Sequence, residues 1–191
     1  MARIQKPRKS LAINKRSYKF MPDQNPNGLS MKERFHSGEQ LVAVSLTADK
    51  TQDEVASIME NGSYDFIFID SQHAAYNEER LAAFCAMAAE MDIHVQFRVK
   101  HTRNTYLVGN YMDLGPAGVE IPQVELESTV EETVQNFYYP PLGIRSWGGK
   151  ARLGIKNRND RSEYSTWWTD HGVIWIQLES VNAVKNAKKL L

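Results

Sequence analysis

A single cysteine, Cys85, stands in 191 residues, so no internal disulfide can form and a reducing cytoplasm is the expected location. An excess of either charge is also missing. The 23 Lys and Arg balance 23 Asp and Glu, and no global field draws in nucleic acid or an acidic membrane. No apolar run is long enough to span a bilayer and no signal-peptide core is present, so a soluble protein is expected. No G-x-G-x-x-G follows the first strand-like segment, which removes the dinucleotide fingerprint. No internal repeat is found.

The charge balance conceals an asymmetry. Residues 1–27 carry seven Lys or Arg and one acid, Asp23, which leaves 16 basic against 22 acidic residues in the remainder. With Pro7, Pro22 and Pro26 and little apolar periodicity, 1–27 reads as a flexible basic extension ahead of one domain, 28–191. No aromatic platform is interleaved with its charges, so a nucleic-acid role is not favoured; a transit peptide is the minor alternative.

Beyond the extension, strand and helix patterns alternate. Leu29 to Phe35 reads as a short helix and 41–46 as a strand, and Thr51-Gln-Asp-Glu54 is a capping box opening a helix that closes near Gly62. The stretch Tyr64-Asp-Phe-Ile-Phe-Ile-Asp-Ser-Gln-His73 organises the chain: a continuous apolar run, suited to a strand buried on both faces, ends in an acid, two polar residues and a histidine. A helix over about 77–91 places Cys85 beside an apolar stripe, as a structural thiol. Further strands are expected at 94–99, 118–122 and 173–178, and further helices at 104–114, from a second capping box at Ser128–Glu131 to Pro140, and at 181–190. The long segment 144–172, rich in Trp and Arg, reads as a lid or subunit contact, or else as an insertion packed on its own aromatics.

Five β-α units in strict alternation predict a parallel α/β sheet, either doubly wound or of the TIM (β/α)8 barrel type, and both put their sites at the C-terminal strand ends. Polar candidates end several strands: Asp70 and His73, Arg98 and Lys100, Gln123 and Glu125, and Glu179. Arg98 is a fixed cation suited to a carboxylate or a developing enolate, Glu179 a hard-cation ligand or general base, and His73 a proton-transfer group near neutral pH. Gln177 shares a strand face with Glu179. For each lone residue a structural role is about as common; Asp70 and His73 fit a simple turn cap.

In their order along the chain, these pieces resemble the HpcH/HpaI aldolase family. Tyr64-Asp-Phe-Ile-Phe-Ile-Asp-Ser-Gln-His-Ala resembles its (F/Y)-D-x-x-x-x-D-x-E-H-A segment, and Phe97-Arg98-Val99 with Asn104 its V-R-V-P-x-N strand end. Asp113-Leu-Gly-Pro-Ala-Gly, Ile121-Pro-Gln-Val-Glu, Tyr139-Pro-Pro-Leu-Gly-Ile-Arg-Ser and Ile176-Gln-Leu-Glu179-Ser complete the series over 28–191. The resemblance implies a TIM barrel and a divalent-metal-dependent lyase (Mg, Mn or Co) that cleaves 4-hydroxy-2-oxo acids to pyruvate and an aldehyde. Glu179 would bind the ion, Gln177 and Arg98 the pyruvate, and His73 would transfer the proton. Asp70 would act on a water of the ion. Asp113, from a neighbouring subunit of a homo-oligomer, typically a hexamer, would orient His73.

Two departures bear on activity. Gln72 replaces the family's usual Glu, and the family's second metal ligand, an Asp in a G-P-x-D-L-type segment after a sixth strand, is absent. The sequence therefore reads as a C-terminally incomplete barrel of about five β-α units, a fragment or truncated product. Its open edges and uncovered apolar interior are expected to leave the isolated chain aggregation-prone and without measurable aldolase activity. The alternatives are a non-catalytic remnant that associates with related subunits and, less favoured, a Schiff-base aldolase using Lys100.

Overall fold

The computed structural model describes residues 29–158 and 160–191. The basic extension read over 1–27 lies outside the described residues. Helix α1 (Met31–His36) is followed by β1 (Ala43–Leu46), α2 (Gln52–Asn61), β2 (Phe66–Asp70), α3 (Glu78–Glu90) and β3 (His94–Arg98). A 3-10 segment, Thr102–Leu107, leads into α4 (Val108–Met112), then β4 (Gly118–Ile121) and α5 (Glu127–Phe137). Helix α6 (Arg161–His171), β5 (Val173–Ile176), α7 (Val181–Lys185) and α8 (Ala187–Leu190) complete the chain.

The five strands form one parallel sheet in the order β1-β2-β3-β4-β5. That order decides between the two expected architectures. A doubly wound sheet reverses its strand order part-way, whereas a strictly sequential order with right-handed crossovers keeps every crossover helix on one face, as in a barrel wall.

Register divides the two faces. Ile67, Ile69, Val95, Phe97, Val119 and Ile121 join the main core with Leu81, Phe84 and Phe137 of the helices. The other face carries Phe66, Phe68 and Asp70 on β2, His94, Gln96 and Arg98 on β3, and Gly118 and Glu120 on β4. The apolar interior expected from the sequence is therefore corrected: β-branched side chains alternate toward the helices, while His, Gln, Arg and Glu share the inner face with Phe. At the N-terminal end of the strands, α1 covers this face, with Phe35 edge-on to Phe66 and Trp175 at centroid distances of 6.0 and 5.0 Å. Arg34 anchors α1 through Glu39 and Asp65, at 2.5 and 2.6 Å. Gly118 allows the next layer to close, because a Cβ there would lie 2.5 Å from the Val173 carbonyl oxygen and closer still to the Gln96 amide oxygen.

The first capping box forms: Thr51 accepts from the Glu54 N–H, and Glu54 accepts from the Thr51 N–H at 2.8 Å. Thr51→Ala should lower stability by about 1 kcal/mol in urea unfolding; an unchanged midpoint would mean that α2 is held by packing alone. The second expected box does not form. Helix α5 begins earlier, with Leu126 at the N-cap and no side-chain cap bond, which puts Ser128 inside the first turn. The 104–114 helix is half 3-10, and 181–190 is two short helices. Cys85 is buried and its thiol pKa is pushed far up by that burial, as a structural thiol requires.

The segment read as a lid or subunit contact is instead committed to the core. It contains α6, whose Tyr164 and Trp168 are fully buried, with the Trp168 indole N–H donating to the Phe137 carbonyl at 3.0 Å. Arginines stack between these rings: Arg152 lies 4.1 Å from the Trp147 centroid and Arg158 3.9 Å from that of Trp167.

Candidate active site

The C-terminal ends of β2, β3 and β4 converge on one guanidinium. Asp70 pairs with Arg98 in the strand register, and Arg98 with Glu120. Arg98 donates from Nε to Asp70 Oδ1 at 2.9 Å and from Nη2 to Asp70 Oδ2 at 2.5 Å, a two-pronged contact that fixes the plane of the fork. Arg98 is the first cause holding the Asp70 carboxyl below its usual range; the Gln72 and His73 N–H groups add to the effect and burial opposes it. Ser71 locks the two strand ends together, its Oγ donating to the Arg98 carbonyl at 2.6 Å.

With Nε and Nη2 engaged, Nη1 faces the rest of the rim. It lies 3.5 Å from Gln177 Oε1 and 3.8 Å from Glu120 Oε1. Gln177 is positioned by the chain leaving β5, where its N–H donates to the Ile121 carbonyl and its carbonyl accepts from the Val124 N–H. Glu120 is only 7% exposed, and its carboxyl is pushed up by burial first and then by the charges of Asp70 and Glu179, against the pull of Arg98. The arrangement is an oriented cation with one nitrogen turned toward a carboxamide and a buried acid. It can receive a carboxylate or a developing enolate oxygen.

Of the residues expected from sequence, Asp70, Arg98 and Gln177 meet directly. Glu179 is exposed just beyond them and acts electrostatically on Arg98 and Glu120. His73 is exposed on the loop after β2, and only its backbone N–H reaches Asp70. Gln72 buries its side-chain oxygen without a partner. Asp113 stands apart, at the end of α4, where it accepts from Arg145 Nη2 at 2.7 Å. Lys100 is exposed beyond β3, outside the cluster. Gln123 and Glu125 are also exposed; Glu125 accepts from Asn182 rather than facing Arg98. Sequence reading passed over Glu120, Ser71 and Arg145. For Glu120 the local signal is no more than a lone acid inside Gly-Val-Glu-Ile-Pro, on a buried strand; its place opposite Arg98 is visible only in the register.

The model of the HpcH/HpaI aldolase/citrate lyase family matches residues 46–191. The chain belongs to this family. It is 30% identical over 136 residues to a 4-hydroxy-2-oxovalerate aldolase of Rhodococcus jostii, covering 71% of this chain and 51% of that protein. It is 27% identical over 161 residues to a 2-keto-3-deoxy-L-rhamnonate aldolase of Escherichia coli, covering 84% and 58%. The solved structure of an HpcH/HpaI aldolase from Desulfitobacterium hafniense superposes with a TM-score of 0.73 at 27% identity, over 84% of this chain and 61% of that one. The chain thus spans little more than half the length of these relatives.

Among the described residues, no group of three or more His, Cys, Asp or Glu converges to hold a metal ion. Glu179, an exposed carboxylate beside the rim, fits a hard divalent ion in kind, though one carboxylate is fewer ligands than such an ion takes. No helix among the described residues is long and apolar enough to cross a membrane.

Proposed function

We propose that this chain carries the enolate-stabilising part of a carbon–carbon lyase that reversibly cleaves a 4-hydroxy-2-oxo acid to pyruvate and an aldehyde. The observation that carries the reading is Arg98, locked in plane by Asp70 with Nη1 turned toward Gln177 at the C-terminal rim of a sequentially ordered parallel sheet. Cleavage leaves an electron pair on the carbon that becomes the pyruvate methyl group, and the developing charge moves onto the keto oxygen. A guanidinium already oriented toward that charge stabilises it without reorganising. Arg98 and Gln177 bind the pyruvate, and Asp70 sets the fork.

His73 at the solvent edge takes the proton of the 4-hydroxyl as the C3–C4 bond breaks and the aldehyde forms, and a proton returns through it to the carbon that becomes the methyl group. Asp113, paired with Arg145 in this chain, serves the equivalent histidine of a second copy in a homo-oligomer. Glu179 is the residue that would hold Mg2+, Mn2+ or Co2+, which when bound supplies Lewis-acid polarisation of the keto group.

Exchange of the pyruvate methyl protons with D2O, followed by NMR, isolates the half-reaction that these residues serve. With a divalent ion present the protein should accelerate exchange over the same ion in buffer, and EDTA should remove the acceleration. In a polypeptide completed to eight strands, pyruvate release from a 4-hydroxy-2-oxo acid should show the same dependence, and borohydride should trap nothing on Lys100. Exchange no faster than in buffer, or a trapped Lys100 adduct with EDTA having no effect, would remove this reading.

A further inference from the structure

We propose that Glu120 is a further ligand-binding residue of this site and a proton-coupled one. As a carboxylate it faces Arg98 Nη1; as a carboxylic acid it donates a hydrogen bond to the carboxylate of a small 2-oxo acid held by that nitrogen. The inference rests on the reading in which Arg98 binds such an acid.

Three observations lead to it. The strand register sets Glu120 level with Arg98 on the inner face, and the side chain is 9% exposed. Its Oε1 lies 3.8 Å from Nη1, too far for a hydrogen bond, whereas Asp70 satisfies Nε and Nη2 at bonding distance; Glu120 is therefore not the partner that orients the guanidinium. The charged groups acting on Glu120 are Asp70 at the end of β2, Arg98 at the end of β3 and Glu179 beyond β5, two anions against one cation that Asp70 already neutralises. An incoming carboxylate would bring a further negative charge beside a buried carboxylate. Uptake of one proton from solvent by Glu120 removes that repulsion and turns the acid into a donor. Burial already favours the protonated form.

Calorimetric titration of pyruvate into the protein, with Mg2+ held constant and buffers of different ionisation enthalpy, measures the coupling. Well above the Glu120 pKa, binding should take up close to one proton per pyruvate, and affinity should fall about tenfold per pH unit. Glu120→Gln keeps the shape and a donor, so it should bind pyruvate with no uptake and no such pH dependence. Glu120→Ala, checked for an unchanged melting profile, should bind about tenfold more weakly than Glu120→Gln, as expected from losing a hydrogen bond to a charged group. Pyruvate binding without proton uptake in the wild type would overturn the proposal, and so would uptake that persists in Glu120→Gln. Failure of the wild type to bind pyruvate at all is a different result, which removes the reading of Arg98 and this inference with it.

Discussion

Arg98→Lys should lower the rate of pyruvate proton exchange by about 10²-fold or more, with a smaller change in pyruvate affinity. Three nitrogens of the guanidinium have separate tasks. Nε and Nη2 take the two oxygens of Asp70, and Nη1 is left facing Gln177 and Glu120. A lysine ammonium at the end of a flexible stem is drawn to Asp70 as a point charge and leaves no second donor aimed past Gln177 and Glu120. Charge is preserved, so ground-state attraction for a carboxylate survives in part. What is lost is a donor pre-aimed at the oxygen whose charge grows in the transition state, and such losses fall on turnover. The split between turnover and affinity separates this from simple damage to the fold. Unchanged turnover in a folded Arg98→Lys variant would take Arg98 out of the mechanism.

The residues legible in the sequence share a cause: each follows a short run of strand-forming residues, and a parallel strand presents its last side chains at one rim. Asp70, Arg98 and Gln177 were readable because the runs 66–69, 95–97 and 173–176 are abrupt. The strand order, which selects the barrel wall, was not readable from the alternation of strand and helix, which is common to both candidate folds; the family resemblance alone implied it. Glu120 was hidden because it lies within a strand rather than after one, and only the register shows it level with Arg98. The Asp113–Arg145 pair joins residues 32 positions apart, and no local pattern marks such a contact. Helix α6 did carry a signal. Tyr164, Trp167, Trp168 and His171 recur at i, i+3, i+4 and i+7, a helical period set inside a long, aromatic-rich connection. The second capping box failed for the opposite reason: a good local motif at Ser128 gave way to a helix start at Glu127.

The inner face also sets how the fold responds to acid. His94 is buried on β3, edge-on to Phe66 at 6.2 Å, and burial pushes its imidazole pKa down from 6.5 to about 4. In the unfolded chain the same imidazole takes a proton near its ordinary pKa. Between the two values the unfolded state therefore binds more protons than the folded one, so stability rises with pH across that window. Stability is complete above the unfolded value and falls as pH drops from about 6.5 toward 4. The difference amounts to about 3 kcal/mol, an upper figure. Carboxylates such as Asp70 lose native pairing in the same direction, so the wild type alone cannot isolate His94. Urea unfolding of wild type and His94→Gln at pH 7.5 and pH 4.5 gives a double difference in which the carboxylates, and the packing cost of the substitution, cancel. The variant should lose less stability on acidification by up to about 2.5 kcal/mol over that pH interval. Equal losses in the two proteins would mean that the His94 imidazole is reached by water or a partner that lets it ionise in the folded state.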